Sequence, residues 1–418
     1  MVAWIRNKEI GPLALGRRLV DLLGPTGDAV RQSLTALVFN SMTSLIAGAI
    51  LGSITHTFEA LPGLLVMVPA AIGLRGNIFG ALGNRISTSI HLGTFNLSTR
   101  RDTVLGQNIL ASLSLTYVLS VTLAIMAKLV AVTFGIENSI GVLDLAVISI
   151  VGGTIASIIV LVATIALSAA SVRQEWDLDN LVAPTMSTLG DALTVPSLFF
   201  ATYLVGHGMA TKLLGWLLVV GAIIVLVLTI RSKLEIFTEI VRESLPVLAM
   251  AAVLSTLAGI AVEKQLALFA ALPALLIMQP AFVSSAGALG GILSSRISTN
   301  LHLGLVEPSL RPQGEARRDA LLVLLIGFPI FVFNAVGAHV TGLLLNERSP
   351  GLFWILAASL LGGLLSVLFV IALAYYGTIA AWRSNLDPDN YGIPIVTASV
   401  DFVGVVALVL VLSILGIR

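Results

Sequence analysis

The amino-acid sequence predicts an all-α polytopic membrane protein: two parallel five-helix repeats plus a linker transmembrane helix, about eleven spans, with a pseudo-two-fold axis along the membrane normal. Three observations carry this prediction. The first is composition, with 57% hydrophobic residues, 11% charged residues and a mean hydropathy of +1.02, where a soluble domain has roughly 25% charged residues. The second is a duplication. Residues 68–93, VPAAIGLRGNIFGALGNRISTSIHLG, return 211 residues later as QPAFVSSAGALGGILSSRISTNLHLG, and residues 30–93 match 241–304 without a gap at 27 of 64 positions. The third is the sidedness of the positive charges between the apolar runs.

Taken in order, residues 1–29 read as a basic amphipathic cytoplasmic segment. They lack the apolar run of about 7–15 residues that a signal peptide needs, so no cleavage is expected. Spans are expected near 32–55, 62–91, 105–134, 143–170 and 184–206, which make the first repeat within residues 30–208. An additional helix near 212–230 lies in the connection 209–240. Spans near 245–262, 272–301, 320–345, 352–376 and 392–416 make the second repeat within 241–418. Runs such as 212–230 and 401–417 are close to the ~20 apolar residues that cross a ~30 Å hydrocarbon core. Five spans alone would invert the second copy; the additional helix restores its direction, so the halves are expected to be parallel, as in one class of transporter repeats.

Under this arrangement the loops on the N-terminal side hold fifteen Lys and Arg, including Arg100, Arg101, Arg317 and Arg318, against four in the opposite loops and tail. The positive-inside rule then places the N-terminus in the cytoplasm and the C-terminus outside. Both Arg-Arg-Asp tripeptides, ending at Asp102 and Asp319, fall on the cytoplasmic side. Net charge of +1 by itself says nothing about partners; the expected ones are divalent cations and the lipid bilayer, with no nucleic acid, and the absence of Cys excludes disulfides, thiolate metal sites and cysteine nucleophiles.

The second span of each repeat is long for a plain helix: thirty residues extend about 45 Å. It contains Pro69, Gly73, Gly76, Gly80 and Gly83 in the first copy and Pro273, Pro280, Gly287 and Gly291 in the second. A break, a re-entrant start or a strong tilt is expected, and irregular backbone at membrane depth would mark an ion path through Gly76 and Gly287. The competing reading is that Gly76-xxx-Gly80 and Gly287-xxx-Gly291 are small-residue helix contacts. Asn77, Asn84, Thr88 and His91 share one helical face. In the second copy Ala288, Ser295, Thr299 and His302 stand there, so the deep amide exists once. Arg85 and Arg296, near the cytoplasmic ends, are expected to be structural, bonding helix C-terminal carbonyls.

The sharpest signal is in the fifth span of each repeat. Asp177, Asp179, Asn180, Pro184, Ser187 and Asp191 align at a constant offset of 210 with Asp387, Asp389, Asn390, Pro394, Thr397 and Asp401. Asp191 and Asp401 each lie about 10 Å along the helix beyond the proline that opens it, with a hydroxyl four residues earlier on the same face. A membrane-deep Asp costs at least ~2.5–3.5 kcal/mol, so it faces an aqueous path or a partner. Two carboxylates near one axis repel unless a cation or proton sits between them.

At these residues the chain resembles the MgtE-type magnesium transporters, and especially their two-repeat single-chain solute-carrier relatives. The resemblance rests on LRGN at 74–77, RIST in both copies, and the paired D-x-D-N, Pro, Asp pattern, and covers roughly 30–206 and 241–418. It implies transport of a divalent cation, with Mg²⁺ the expected ion, through a central pore of five helices per repeat. It also implies a plasma-membrane protein and no enzyme. The family's fifth-helix aspartates match Asp191 and Asp401, and its Gly-Asn motif matches Gly76 and Asn77. Gly287-Ala288 departs from that motif, so the resemblance implies this contribution from the first repeat alone. Ser187, Thr397, Thr88 and Thr299 are the supporting hydroxyls along the path. The cytoplasmic sensing domains of MgtE proteins have no counterpart in this sequence, so their gating is not carried over. A lone chain with an internal pseudo-dimer suffices for such a pore.

The residue chemistry agrees with this. Mg²⁺ takes octahedral oxygen coordination and gives up water reluctantly, which suits two carboxylates and a few neutral oxygens around a hydrated ion. Two other readings remain open at the level of sequence. One is an exchanger that couples divalent cation movement to Na⁺ or H⁺ through the same aspartates. The other is an intramembrane aspartyl protease with Asp191 and Asp401 as the dyad, although the contexts Thr-Leu-Gly-Asp191 and Ser-Val-Asp401 lack the usual GxGD and YD motifs.

Overall fold

The computed structural model describes residues 25–91, 93, 95–174, 178–302, 304–309, 311–384 and 393–417. Within them the chain forms thirteen α-helices, as a bilayer requires of any segment that must satisfy its own backbone polar groups. They are α1 (Pro25–Ser53), α2 (Thr55–Ala60), α3 (Leu64–His91), α4 (Val104–Thr133), α5 (Val142–Gln174), α6 (Leu178–Thr202) and α7 (Met209–Ile230). The second half contains α8 (Glu235–Glu263), α9 (Leu266–Ala271), α10 (Pro273–His302), α11 (Glu315–Leu344), α12 (Leu352–Arg383) and α13 (Ile393–Ile414). Ten of these are long and apolar enough to cross a membrane. The expected eleventh span corresponds to α6, which packs among α1, α3 and α5. The basic segment before residue 25 lies outside the described residues.

The two repeats follow the same order of helices. Helices α4 and α11 are both 30 residues long and begin 211 residues apart. Their first turns are made differently: the Thr103 hydroxyl caps α4 by accepting from Gly106 N at 3.1 Å, whereas Gly314, its counterpart, opens α11 with φ +52°. The additional helix α7 lies on the outside of the first repeat against α4 and α5 and touches α8. Most of its large side chains, among them Leu213, Trp216, Leu217 and Leu228, are exposed, as a lipid-facing helix requires.

The long spans are continuous. Pro69 lies inside α3 and Pro280 inside α10 without ending either helix. Each proline removes only the bond to the carbonyl four residues earlier, on Leu65 and Leu276. The expected break is therefore absent, and the two short helices α2 and α9 make the turn that the sequence suggested as a re-entrant start. A continuous helix of 28 residues exceeds a ~30 Å core by more than a turn, which leaves tilt as the way to fit.

The first helix of each repeat is exchanged. Helix α1 lies along α10 and α11 of the second repeat, and α8 lies along α3 and α4 of the first. Glycines make the exchange close: a methyl group on Gly48 of α1 would overlap the Ile277 carbonyl of α10, and one on Gly259 of α8 would overlap the Val66 carbonyl of α3. These contacts are the same contact seen twice, since both residues shift by 211. Lipid provides no hydrophobic force between helices, so such backbone-to-backbone approach is where dispersion and polar contacts accumulate. A further tie crosses the repeats where Glu263, at the end of α8, accepts from Gly63 N at 2.7 Å at the start of α3. The carboxylate thereby meets the positive end of that helix.

At the opposite ends of the long helices, Arg85 Nε donates to Asn108 Oδ1 and Arg296 Nε donates to Asp319 Oδ1, both at 2.7 Å. The arginines thus bond the next helix rather than C-terminal carbonyls, because the side chain of the following span comes within reach. Asp319 also accepts from Asn300 Nδ2 at 3.0 Å and is 2% exposed. It is the structural counterpart of Asn108, not of Asp102, so the two Arg-Arg-Asp tripeptides are not equivalent positions.

Candidate functional site

The exchange of first helices brings elements of both repeats to one place. Where α1, α3, α6, α10 and α13 converge, a cavity of about 90 Å³ is lined by Ser44, Pro69, Gly73, Asp191, Gln279, Pro280, Ser284 and Asp401, with Ala47, Ile72 and Val283. The cavity lies across the pseudo-two-fold axis, because its walls pair off as Pro69 with Pro280, Ile72 with Val283, Gly73 with Ser284 and Asp191 with Asp401. Asp191 sits in the middle of α6 and Asp401 on the first half of α13. Both are half-buried.

Asp401 is held from the exchanged helix: Ser255 Oγ of α8 donates to Asp401 Oδ2 at 2.8 Å. The same carboxylate oxygen lies 3.6 Å from where a Cβ on Gly73 would stand, so Asp401 packs directly against this turn of α3. On the other side, Ser44 is the counterpart of Ser255, and its buried hydroxyl lines the cavity without a hydrogen-bond partner. Asp191 follows Gly190, whose Cβ position is 3.2 Å from the backbone of Arg75 and Gly76. Gly76 is therefore a close helix contact with α6.

The neutral oxygens are not symmetric. Gln279 and Ser284 of the second repeat stand where the first has Val68 and Gly73. Behind them, Asn40 Nδ2 donates to Ser284 Oγ at 2.9 Å, Ser41 bonds Ser285 at 3.0 Å, and Asn334 Nδ2 donates to Ser285 Oγ at 2.9 Å. The cavity thus has two carboxylates and a polar wall on its α1–α10 side.

The profile of the MgtE family, described as divalent cation transporters, matches residues 68–201 and 279–411. The chain belongs to this family. Its two matched segments correspond to the two repeats. Solute carrier family 41 member 2 of Xenopus laevis is 24% identical over 416 residues, covering 92% of this chain and 72% of the relative. The Homo sapiens member 2 is 22% identical over 413 residues, with 92% and 70% covered. Solute carrier family 41 member 3 of Rattus norvegicus is 23% identical over 393 residues, with 89% and 84% covered. An MgtE-family protein is a membrane transporter of divalent cations and not an enzyme.

The remaining expected residues of this MgtE-family chain fall as follows. Asn77 is half-buried in α3, one turn past Gly73, and is not part of the cavity wall. Gly287 borders open space, with nothing within 4 Å of its Cβ position, as does Gly291, so this pair does not serve as a small-residue helix contact. Thr397 is half-buried one turn before Asp401. Thr88 and Thr299 are exposed near the ends of α3 and α10, about 22 Å along the helix from the cavity, and Thr88 Oγ1 donates to the Asn84 carbonyl at 3.1 Å. The side chains of Ser187, His91 and His302, and Asp177 and residues 385–392 with the second D-x-D-N, lie outside the described residues.

Sequence reasoning passed over Ser44, Ser255, Gln279 and Ser284. A signal for the serines was present, since Ser44 and Ser255 are an identical pair in the aligned repeats. What it could not convey is that each lies on the helix that crosses to the other repeat.

Proposed function

We propose that the protein moves Mg²⁺ across the membrane along a path through the cavity shared by Asp191 and Asp401. One observation carries this reading: a carboxylate from the fifth helix of each repeat lines the same cavity at the repeat interface. Two negative charges in a low-dielectric setting favour a divalent cation between them. The volume of about 90 Å³ supports a hydrated ion, since one water needs only ~10–15 Å³ by this measure. Carboxylate, hydroxyl and amide oxygens suit a hard cation that keeps its water, and neither thiolate nor imidazole is in the wall. Among the described residues no three His, Cys, Asp or Glu side chains gather, so no dedicated all-protein cage competes with the hydrated ion.

Residues 30–208 and 241–418 are the two transport repeats in this reading, joined by 209–240, with the N-terminus cytoplasmic and the C-terminus outside. Asn77, one turn from the cavity on α3, is assigned to the path beyond it. Flux of Mg²⁺ into proteoliposomes holding the purified chain tests the proposal. Uptake down a Mg²⁺ gradient that fails in Asp191→Asn and Asp401→Asn supports it, and wild-type uptake in both would end it. Imposed Na⁺ and proton gradients in the same vesicles distinguish an exchanger from a channel.

A further inference from the structure

Arg75 is a buried cation that the transport site does not use. It lies near the centre of α3 with 0% of its side chain exposed. Its Nη2 donates to Ser120 Oγ of α4 at 3.0 Å, while Nε and Nη1 have no partner. A guanidinium stays protonated in proteins, so a full charge sits in the bundle with most of its donors unpaired, a costly arrangement at membrane depth.

Packing does not explain it, because the second repeat fills the same space without a charge. There Ala286 stands in the place of Arg75 and Phe331 in the place of Ser120. Gly153 of α5 leaves room for the Arg75 guanidinium, and its counterpart Gly363 of α12 leaves room for the Phe331 ring. The ring completes that interior with Phe282, centroids 5.0 Å apart. One fold thus holds two solutions to one volume, and only the first is charged.

The carboxylates lie against the other side of the same turn. Asp401 Oδ2 is 3.6 Å from the Cβ position of Gly73, and Gly190, beside Asp191, is 3.2 Å from the Arg75 backbone. The guanidinium and the two carboxylates are therefore separated by about one helix diameter, ~10 Å, of low-dielectric protein. We infer that Arg75 is a positioning residue of the cation site: its fixed charge, acting through α3, offsets part of the field of Asp191 and Asp401 and keeps a divalent cation from being held too tightly to leave. This rests on the proposed two-carboxylate site. A monovalent charge at that distance acts twice as strongly on a divalent cation as on a monovalent one.

The test is Mg²⁺ binding by calorimetry on the purified full chain, paired with flux in proteoliposomes. Arg75→Met and Arg75→Gln should bind Mg²⁺ about tenfold tighter or more and release it more slowly, while Arg75→Lys stays within about threefold of wild type. A purely structural arginine would give weaker binding or none, not a gain. The double variant Arg75→Ala with Ser120→Phe copies the packing of the second repeat and gives the same reading if the single neutral variants do not fold. Unchanged or weakened affinity in the folded neutral variants, alongside lost binding in Asp191→Asn, would overturn the role of Arg75 and leave the site intact. Wild-type binding in both aspartate variants would instead remove the site on which the role depends.

Discussion

Ser255 donates to Asp401 at 2.8 Å, whereas Ser44, which occupies the equivalent place in the other repeat, faces the shared cavity with its hydroxyl unpaired. A pseudo-symmetric frame thus presents two carboxylates with different surroundings. Asp401 is fixed by a donor from the exchanged helix, and the polar wall of Ser44, Gln279 and Ser284 stands opposite.

Removing the two hydroxyls should therefore have different consequences. Ser255→Ala breaks an existing part-buried bond and should lower stability by about 1 kcal/mol without cation. Ser44→Ala breaks none and should leave that stability within ~0.5 kcal/mol, yet reduce the stabilisation gained on adding Mg²⁺. Thermal unfolding with and without Mg²⁺ measures both, and equal effects in the two variants would contradict the asymmetry.

The two carboxylates should act on one ion. Asp191→Asn and Asp401→Asn should each weaken Mg²⁺ binding by more than a surface charge does. The double variant should cost little beyond either single, because a shared ion is lost once. Calorimetry on the three variants decides it, and cleanly additive losses would point to separate sites.

Glycine positions at the helix exchange should be intolerant where the open ones are not. Gly259→Ala places a methyl on the Val66 carbonyl, and overpacking of this kind costs ~1–3 kcal/mol. Gly287→Ala meets nothing within 4 Å and gains helix propensity, so it should be neutral or slightly stabilising. The melting temperatures of the two variants in one detergent provide the comparison.

The topology can be read by labelling, since the chain contains no Cys. A membrane-impermeant thiol reagent applied outside should modify Ser349→Cys and spare Ser98→Cys and Ser309→Cys. Labelling of Ser98→Cys and Ser309→Cys from opposite sides would end the parallel arrangement.

What the sequence determined by itself was everything set by local pattern and by its own repetition. Apolar runs long enough for a bilayer mark the helices, because only a helix satisfies its backbone in lipid. The offset of 210 between Asp191 and Asp401 identifies them as one position used twice, and their cost at depth is what singles them out as candidates for the ion site. The family could be read from the same residues. Tertiary structure alone decided which faces meet. Periodicity does not say that α1, while touching α6 of its own repeat, lies along α10 of the other, since Gly48 is suited to any close neighbour and only packing selects the Ile277 carbonyl. Nor does it say that Pro69 leaves α3 unbroken, because a single lost hydrogen bond can be tolerated inside a well-packed bundle. Above all it could not bring Ser255 to Asp401 across 146 residues or bury Arg75 behind the cavity. Those relations depend on the spatial sum of many contacts, each too weak and too unspecific to leave a mark in the sequence around it.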